Sequence, residues 1–232
     1  MNSNFSRMLS MLLIMVAVFF VFRFSLTSYY FNNAEDLFKQ GVESEQQNQL
    51  NIYTDALEQV DYAIKLRPKH AKALDLKGEL LYRQWWLKPD GQYLGDSSML
   101  QESKVFHEKA LAIRKEWPFT MLQLTRIEAH KPVLDEAFYF RFNQVYEFGR
   151  FEAAIALDLM NLGVLRWNEL TSDAKEKVVE LANLSVQQKR NSLSTIKKTL
   201  QAAELQNFMC LRIEKNDRQA YLCNENTQVL KP

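Results

Sequence analysis

An all-α protein with one N-terminal membrane helix is the fold class the sequence predicts, and three observations predict it. Glycine (6) and proline (5) are scarce among 232 residues, and few turn residues favour long helices over short strands. Residues 8–22, MLSMLLIMVAVFFVF, carry no charge and no helix breaker. Beyond them apolar residues recur at helical spacing through most of the chain, as in helices that bury one face. With 47% hydrophobic and 25% charged residues, the composition is that of a folded globular chain. Lys plus Arg (29) nearly balances Asp plus Glu (28), so there is no bulk basic charge of the kind nucleic acid selects.

The N-terminal stretch comes first. A spanning helix needs about 20 mostly apolar residues, so residues 8–22 are short alone and reach the length when extended to residue 31. Arg23 lies where it can snorkel to the headgroups, and Tyr29, Tyr30 and Phe31 fall where an aromatic belt would lie. The expected anchor is therefore 8–31. Arg7 and the α-amino group, with nothing acidic beside them, place residues 1–7 on the cytoplasmic side and the rest outside, a bias that Arg23 weakens. A cleaved signal peptide is the competing reading, but its cleavage region would contain Arg23 and bulky residues and no A-x-A. A buried core helix is the third.

From Asn32 the chain turns polar and helical. Asn33 is a candidate cap, with Glu35 and Asp36 in the first turn and Leu37, Phe38, Gly41 and Val42 along one face. Residues 48–51 read as a polar break. A second helix carries Ala56, Val60, Ala63 and Ile64 on one side and ends at Leu66-Arg67-Pro68. This Ala56, Val60, Ala63, Pro68 pattern resembles the second helix and terminal proline of a tetratricopeptide repeat, where small residues let helices approach closely and the proline stops the helix. Leu74, Gly78 and Leu81 follow at the spacing of that repeat's first helix, although Lys77 stands where a leucine is usual. Ser103, His107 and Ala110 repeat the second-helix pattern, followed by Ile113 and Pro118. Ala63 and Ala110 lie 47 positions apart instead of about 34, and the surplus fits a loop at 85–98. A helix at 119–130 opens another hairpin. An unrelated helical bundle with alanines at its contacts is the alternative.

Residues 133–150 are dense in aromatics. Phe138, Phe142 and Tyr146 share a face at i, i+4 and i+8, while Phe140 and Phe148 lie off it, so this helix is expected to be apolar nearly all round and buried on several sides. It is either an aromatic groove for a sugar chain or peptide, or core packing. Residues 151–167 form another Ala- and Leu-rich helix. Thr171 or Ser172 caps the next, with Asp173 and Glu176 in its first turn, running to about Lys189. Ser192 or Ser194 begins the last, with Leu193, Ile196, Leu200 and Ala203 at helical spacing, so the part beyond the anchor holds about nine helices. In the tail, residues 208–213 and 220–223 are β-prone runs around the polar turn Lys215-Asn216-Asp217-Arg218. Cys210 and Cys223 flank it, a disulfide if the compartment is oxidising; two free buried thiols in a cytosolic chain are the alternative.

Catalytic and ligand patterns are sparse. His70, His107 and His130 stand in no metal-binding spacing, and His107 falls on an inward helix face. No nucleophile elbow or phosphate-binding loop motif occurs. Gly91 and Gly95 carry no phosphate-loop signature, and Asp135-Glu136 and Glu43-Ser44-Glu45 are carboxylate pairs whose members point apart. The expectation is a non-enzyme without cofactor or metal. Trp85 and Trp86, before a turn, could stack on sugar rings or anchor a partner. The candidate binding residues are thus Trp85, Trp86, Phe138, Phe142 and Tyr146.

A short N-terminal anchor, divergent tetratricopeptide-like hairpins and a two-cysteine tail, with stretches such as Ala63-Ile64-Lys65-Leu66-Arg67-Pro68 and Glu116-Trp117-Pro118, together resemble the VpsP family of bacterial exopolysaccharide biosynthesis proteins. The resemblance implies a non-catalytic accessory protein of a polysaccharide synthesis and export system, anchored in the inner membrane and facing the periplasm. On it, residues 32–205 are a periplasmic helical domain and 206–232 a disulfide-closed tail. Expected partners are the inner membrane and other envelope proteins of polysaccharide synthesis or export. The second reading is a periplasmic polysaccharide binder using Trp85, Trp86 and the 133–151 aromatics.

Overall fold

The computed structural model describes residues 3–88, 97–188, 193–213 and 215–223. Among them are eleven α-helices, one short 3₁₀ turn and no strand. The chain divides into two compact units, Met1–Lys115 and Glu116–Pro232. Glu116, at the division, has φ of 61°, the left-handed conformation that interrupts helices.

The first unit holds α1 (Ser3–Glu43), α2 (Gln46–Leu66), α3 (Ala71–Leu87) and α4 (Ser97–Ile113), with α1 packed on α2, α2 on α3 and α3 on α4. Helix α1 is long and apolar enough to cross a membrane. It is also unbroken for 41 residues, which corrects the expectation of a separate helix capped by Asn33. An asparagine inside a helix costs only about 0.7 kcal/mol, and that is outweighed because the turn holding it is docked: Ala34 is fully buried in a core with Tyr53, Ala56, Val60, Ala63, Ala73 and Leu80. The docked part begins near Thr27, whose side chain is buried. Tyr30 stacks on Tyr62 with centroids 5.2 Å apart, and Phe31 lies 5.0 Å from the His70 ring. These two rings therefore pack on protein, and of the expected aromatic belt Tyr29 alone is exposed.

The chain turns at Ser44-Glu45, and residues 48–51 lie inside α2, because the glutamines and leucine around them are good helix formers. At Gly41 a Cβ would stand 2.3 Å from the Tyr53 ring, so only glycine lets α1 and α2 approach this closely. Pro68 ends α2 as expected. Helix α3 starts at Ala71, where the sequence reading put it, but its cap was not legible: the His70 ring caps it, Nδ1 accepting from Ala73 N–H at 3.0 Å. Burial, then the charges of Arg67 and Lys72, push the His70 pKa down and keep the imidazole in the neutral form this acceptor role needs. Most of the inward residues read from the sequence are inside: Gly41, Ala56, Val60, Ala63, Leu74, Gly78, Leu81, Ser103, His107 and Ala110 are buried, Leu37, Phe38 and Ile64 are half-buried, and Val42 is exposed. The core of the expected loop, residues 89–96 with Gly91 and Gly95, lies outside the described residues; Ser97 and Ser98 already belong to α4.

The second unit holds α5 (Pro118–Ala129), α6 (Glu136–Gly149), α7 (Ala153–Leu165), the 3₁₀ turn Trp167–Glu169, α8 (Ser172–Gln188), α9 (Leu193–Ala202), α10 (Gln206–Arg212) and α11 (Asp217–Cys223). Helix α5 packs on α6 and α7 on α8. Asp135 caps α6 by accepting from Phe138 N–H at 3.1 Å, and its ion pair with Lys131 holds its carboxyl below the usual range. Thr171 caps α8 through Ala174 N–H at 3.3 Å; Lys189 and Ser192 lie outside the described residues. Arg166 donates to the carbonyls of Ala129 and Lys131, closing the C-terminal end of α5 with a positive charge. Helix α9 ends with Glu204 at φ of 57°, Leu205 N–H bonding to Leu200 O at 2.9 Å, the left-handed cap that more often carries glycine.

Two expectations in this unit are corrected. Helix α6 is not buried all round: Phe138 and Phe142 are fully buried, but Phe140 is 59% exposed and Phe148 51%. One face of the helix meets the core, and the off-stripe rings meet solvent. The tail runs are helical, not extended, over 208–212 and 220–223. Met209 and the capping residue Ile213 are both buried, Ile213 N–H bonding to the Met209 carbonyl, and Arg218 donates to the Val186 carbonyl at 2.9 Å at the end of α8. The expected disulfide is present between these two helices, Cys210 to Cys223, with Cα atoms 5.7 Å apart.

Candidate functional site

The five candidate aromatic residues divide by burial. In the first unit Trp85 is buried near the end of α3, beside Tyr82 at 5.9 Å between centroids, while Trp86 is 45% exposed. In the second unit Phe138 and Phe142 pack on one another, centroids 5.8 Å apart, and their buried faces offer nothing to a ligand. Tyr146 is nearly buried. Its hydroxyl donates to the Glu180 carboxylate, and the Arg150 guanidinium lies 4.7 Å over its ring. Burial first, then Glu180, pushes the Tyr146 pKa up to about 12. Periodicity identified the stripe correctly, but a stripe that packs on a core and one that lines a groove share the same spacing.

Tyr146 forms the rim of a polar cleft of about 500 Å³ lined by Asp173, Glu176, Lys177, Val179, Glu180, Asn183 and Arg212. Its charges are satisfied locally. Lys177 Nζ reaches Asp173 at 2.7 Å and Asn143 Oδ1 at 2.8 Å, and Arg212 pairs with Glu176. Such exposed pairs are each worth about 0.2–1 kcal/mol, so a polar ligand could displace them at small cost.

A second polar group lies inside the first unit. His107 Nδ1 meets Asp75 Oδ1 at 2.7 Å, and Ser103 Oγ donates to the Gly78 carbonyl at 2.7 Å. A serine, a histidine and an aspartate in one place invite comparison with a nucleophilic triad, in which the histidine must accept from the serine. Here the serine hydroxyl is directed to Gly78, Ser103 and His107 are fully buried, and the His107 ring lies against Gly78, where a Cβ would stand 2.7 Å from Nε2. No space remains for a substrate. The group fixes the register of α3 against α4, a role the inward position of His107 indicated and to which Asp75, missed in the sequence, supplies the charge. Gly78→Ala should therefore destabilise the first unit by about 1–3 kcal/mol through overpacking. Chemical denaturation checks this, and an unchanged midpoint would contradict the tight α3–α4 contact.

The third feature is a groove of about 700 Å³ beside α1, where the exposed apolar part of the helix meets the turn between α2 and α3. Phe20, Val21, Arg23, Phe24 and Thr27 line one wall, and Leu66, Arg67, Pro68 and Lys69 the other. Arg23 Nε donates to the Leu66 carbonyl at 2.6 Å, and the Arg67 guanidinium lies 5.7 Å over the Phe24 ring.

Among the described residues no three His, Cys, Asp or Glu side chains come together as a metal site. Neither the known protein families nor the curated proteins contain a match to this chain. The site is therefore read from its own geometry.

Proposed function

We propose that this chain is a membrane-anchored helical scaffold that faces an oxidising compartment and works by holding binding surfaces beside other envelope proteins. The observation that carries this reading is α1: its apolar residues 8–22 are exposed, and the same uninterrupted helix continues into the core of the first unit. A run of exposed Leu, Val, Ile and Phe of this length is costly in water and favourable in hydrocarbon. The Cys210–Cys223 bridge supports an exported location, since disulfides persist in oxidising compartments. The resemblance to the VpsP family makes exopolysaccharide synthesis or export the proposed setting, with stacked tetratricopeptide-like hairpins as the proposed binding scaffold and the periplasm as its side of the inner membrane.

A second reading, direct binding of a sugar chain, draws on exposed Trp86 in the first unit and, separately, on the polar cleft beside Tyr146 in the second, since sugars are held by aromatic faces and by hydrogen-bonding groups. A C-terminal alkaline phosphatase fusion, active only after export, tests the placement. The expected result is an active fusion that stays with the membrane after a carbonate wash. An inactive fusion or a protein released by carbonate would refute it. Specific protein crosslinks with a silent glycan array favour the scaffold; glycan binding lost in Trp86→Ala favours the second reading.

A further inference from the structure

We propose that the groove between α1 and the α2–α3 turn is a binding site for an anionic phospholipid, whose phosphate meets Arg23, Arg67 and Lys69 while an acyl chain lies along Phe20, Val21 and Phe24. The proposal rests on the membrane-anchor reading and adds a ligand to it.

Three observations converge on this occupant. The first is position. The groove lies where the exposed apolar part of α1 gives way to its docked part, which is the depth of the lipid headgroups if residues 8–22 cross the hydrocarbon. The second is the division of its lining. Phe20, Val21 and Phe24 are exposed and, with Leu66 and Pro68, make an apolar trough, while Arg23, Arg67 and Lys69 stand beside it. That is the amphipathic division of a lipid, with a charged head and a hydrocarbon tail.

The third is charge. No carboxylate lines the groove, and residues 1–34 and 62–74 contain no Asp or Glu at all. The α2–α3 turn, by contrast, carries Lys65, Arg67, Lys69 and Lys72 within eight positions. Several cations elsewhere in the protein are paired: Lys77 with Asp61 at 2.6 Å, Arg126 with Asp158 at 2.7 Å and Lys177 with Asp173 at 2.7 Å. Among the described residues Arg23, Arg67 and Lys69 have no carboxylate partner. The single bond from Arg23 Nε to Leu66 O holds that guanidinium at the groove and leaves its Nη groups to donate. A phosphate accepts such a fork through two oxygens, and a basic cluster at a membrane surface selects anionic lipids over zwitterionic ones.

The test uses the full chain reconstituted in nanodiscs of equimolar phosphatidylglycerol and phosphatidylcholine with identical acyl chains, followed by native mass spectrometry of the lipids retained. Phosphatidylglycerol should be retained in excess by about five-fold or more, taking one basic side chain's contribution as the lower limit. The Arg23→Gln/Arg67→Gln/Lys69→Gln variant should retain the two lipids equally while keeping its helical circular dichroism. Equal retention by the unaltered chain, or an undiminished preference in the folded variant, would overturn the proposal. Inorganic phosphate that strips the bound phosphatidylglycerol would overturn the assignment to a lipid in favour of a free anion. A chain that fails to enter nanodiscs refutes the anchor itself, whereas one that enters without lipid preference refutes the groove alone.

Discussion

Phe142→Ala is expected to destabilise the second unit by about 3–5 kcal/mol, the usual cost of truncating a buried aromatic side chain to alanine. Phe140→Ala, two residues away, should change stability by no more than about 0.5 kcal/mol. The contrast follows from helix geometry. Phe142 follows Phe138 by four positions, both are fully buried, and their centroids are 5.8 Å apart. Phe140 is turned roughly 200° from Phe142 around the helix and is largely exposed, with the Arg141 guanidinium 5.6 Å over its ring. Urea denaturation of the two variants measures the difference. Equal effects would show that α6 is rotated from the position described. The same pair bears on function: a sugar stacks on an accessible ring face, and Phe142 has none, so loss of glycan binding in Phe142→Ala would report unfolding. Trp86, exposed, is the informative position.

The second large effect is expected at the disulfide. The Cys210→Ser/Cys223→Ser variant should lose about 3 kcal/mol, the loop-entropy value for a bridge spanning some 13 residues. The loss should be concentrated in the tail. Helices α10 and α11 have seven residues each, too few to persist alone. What holds them is the bridge, burial of Met209 and Leu222, and side chains such as Gln219, whose Nε2 donates to the Cys210 carbonyl at 3.0 Å. Hydrogen exchange should therefore quicken across 206–223 while α5 and α6 remain protected. Freely alkylated thiols in protein purified from its native membrane would count against an exported location.

Much of the helical core was legible because the patterns involved are local. Ala56, Val60 and Ala63 announce one buried face of α2, Ser103, His107 and Ala110 one of α4, and Pro68 the end of a helix; each needs only a few consecutive residues. What was hidden depends on residues distant in sequence. The continuity of α1 through Asn33 is decided by docking of Ala34 and Tyr30 onto α2, which outweighs the local capping tendency of asparagine. The burial of Phe138 and Phe142 against the exposure of Phe140 depends on which neighbours α6 meets. The tail runs were short and apolar, and such segments fit a strand or a helix equally until their partners are known; α8 and α9 supply those partners. The groove between α1 and the α2–α3 turn was invisible for the same reason. Arg23 and Arg67 are 44 positions apart in sequence, and only the α1–α2 hairpin brings them together.

The unbroken helix α1 has a mechanical consequence. A span joined to its domain by a flexible linker lets that domain tumble, but here the exposed apolar turns and the docked turns are one helix, with no glycine or proline where they meet. If α1 crosses a bilayer as proposed, the inclination of the span sets the attitude of the first unit. From Phe24 to Glu43 the rod extends about 30 Å, so a typical tilt of about 20° carries its far end sideways by about 10 Å. A change in bilayer thickness, which alters tilt, would be converted by this lever into a displacement of the first unit's helices over the membrane surface.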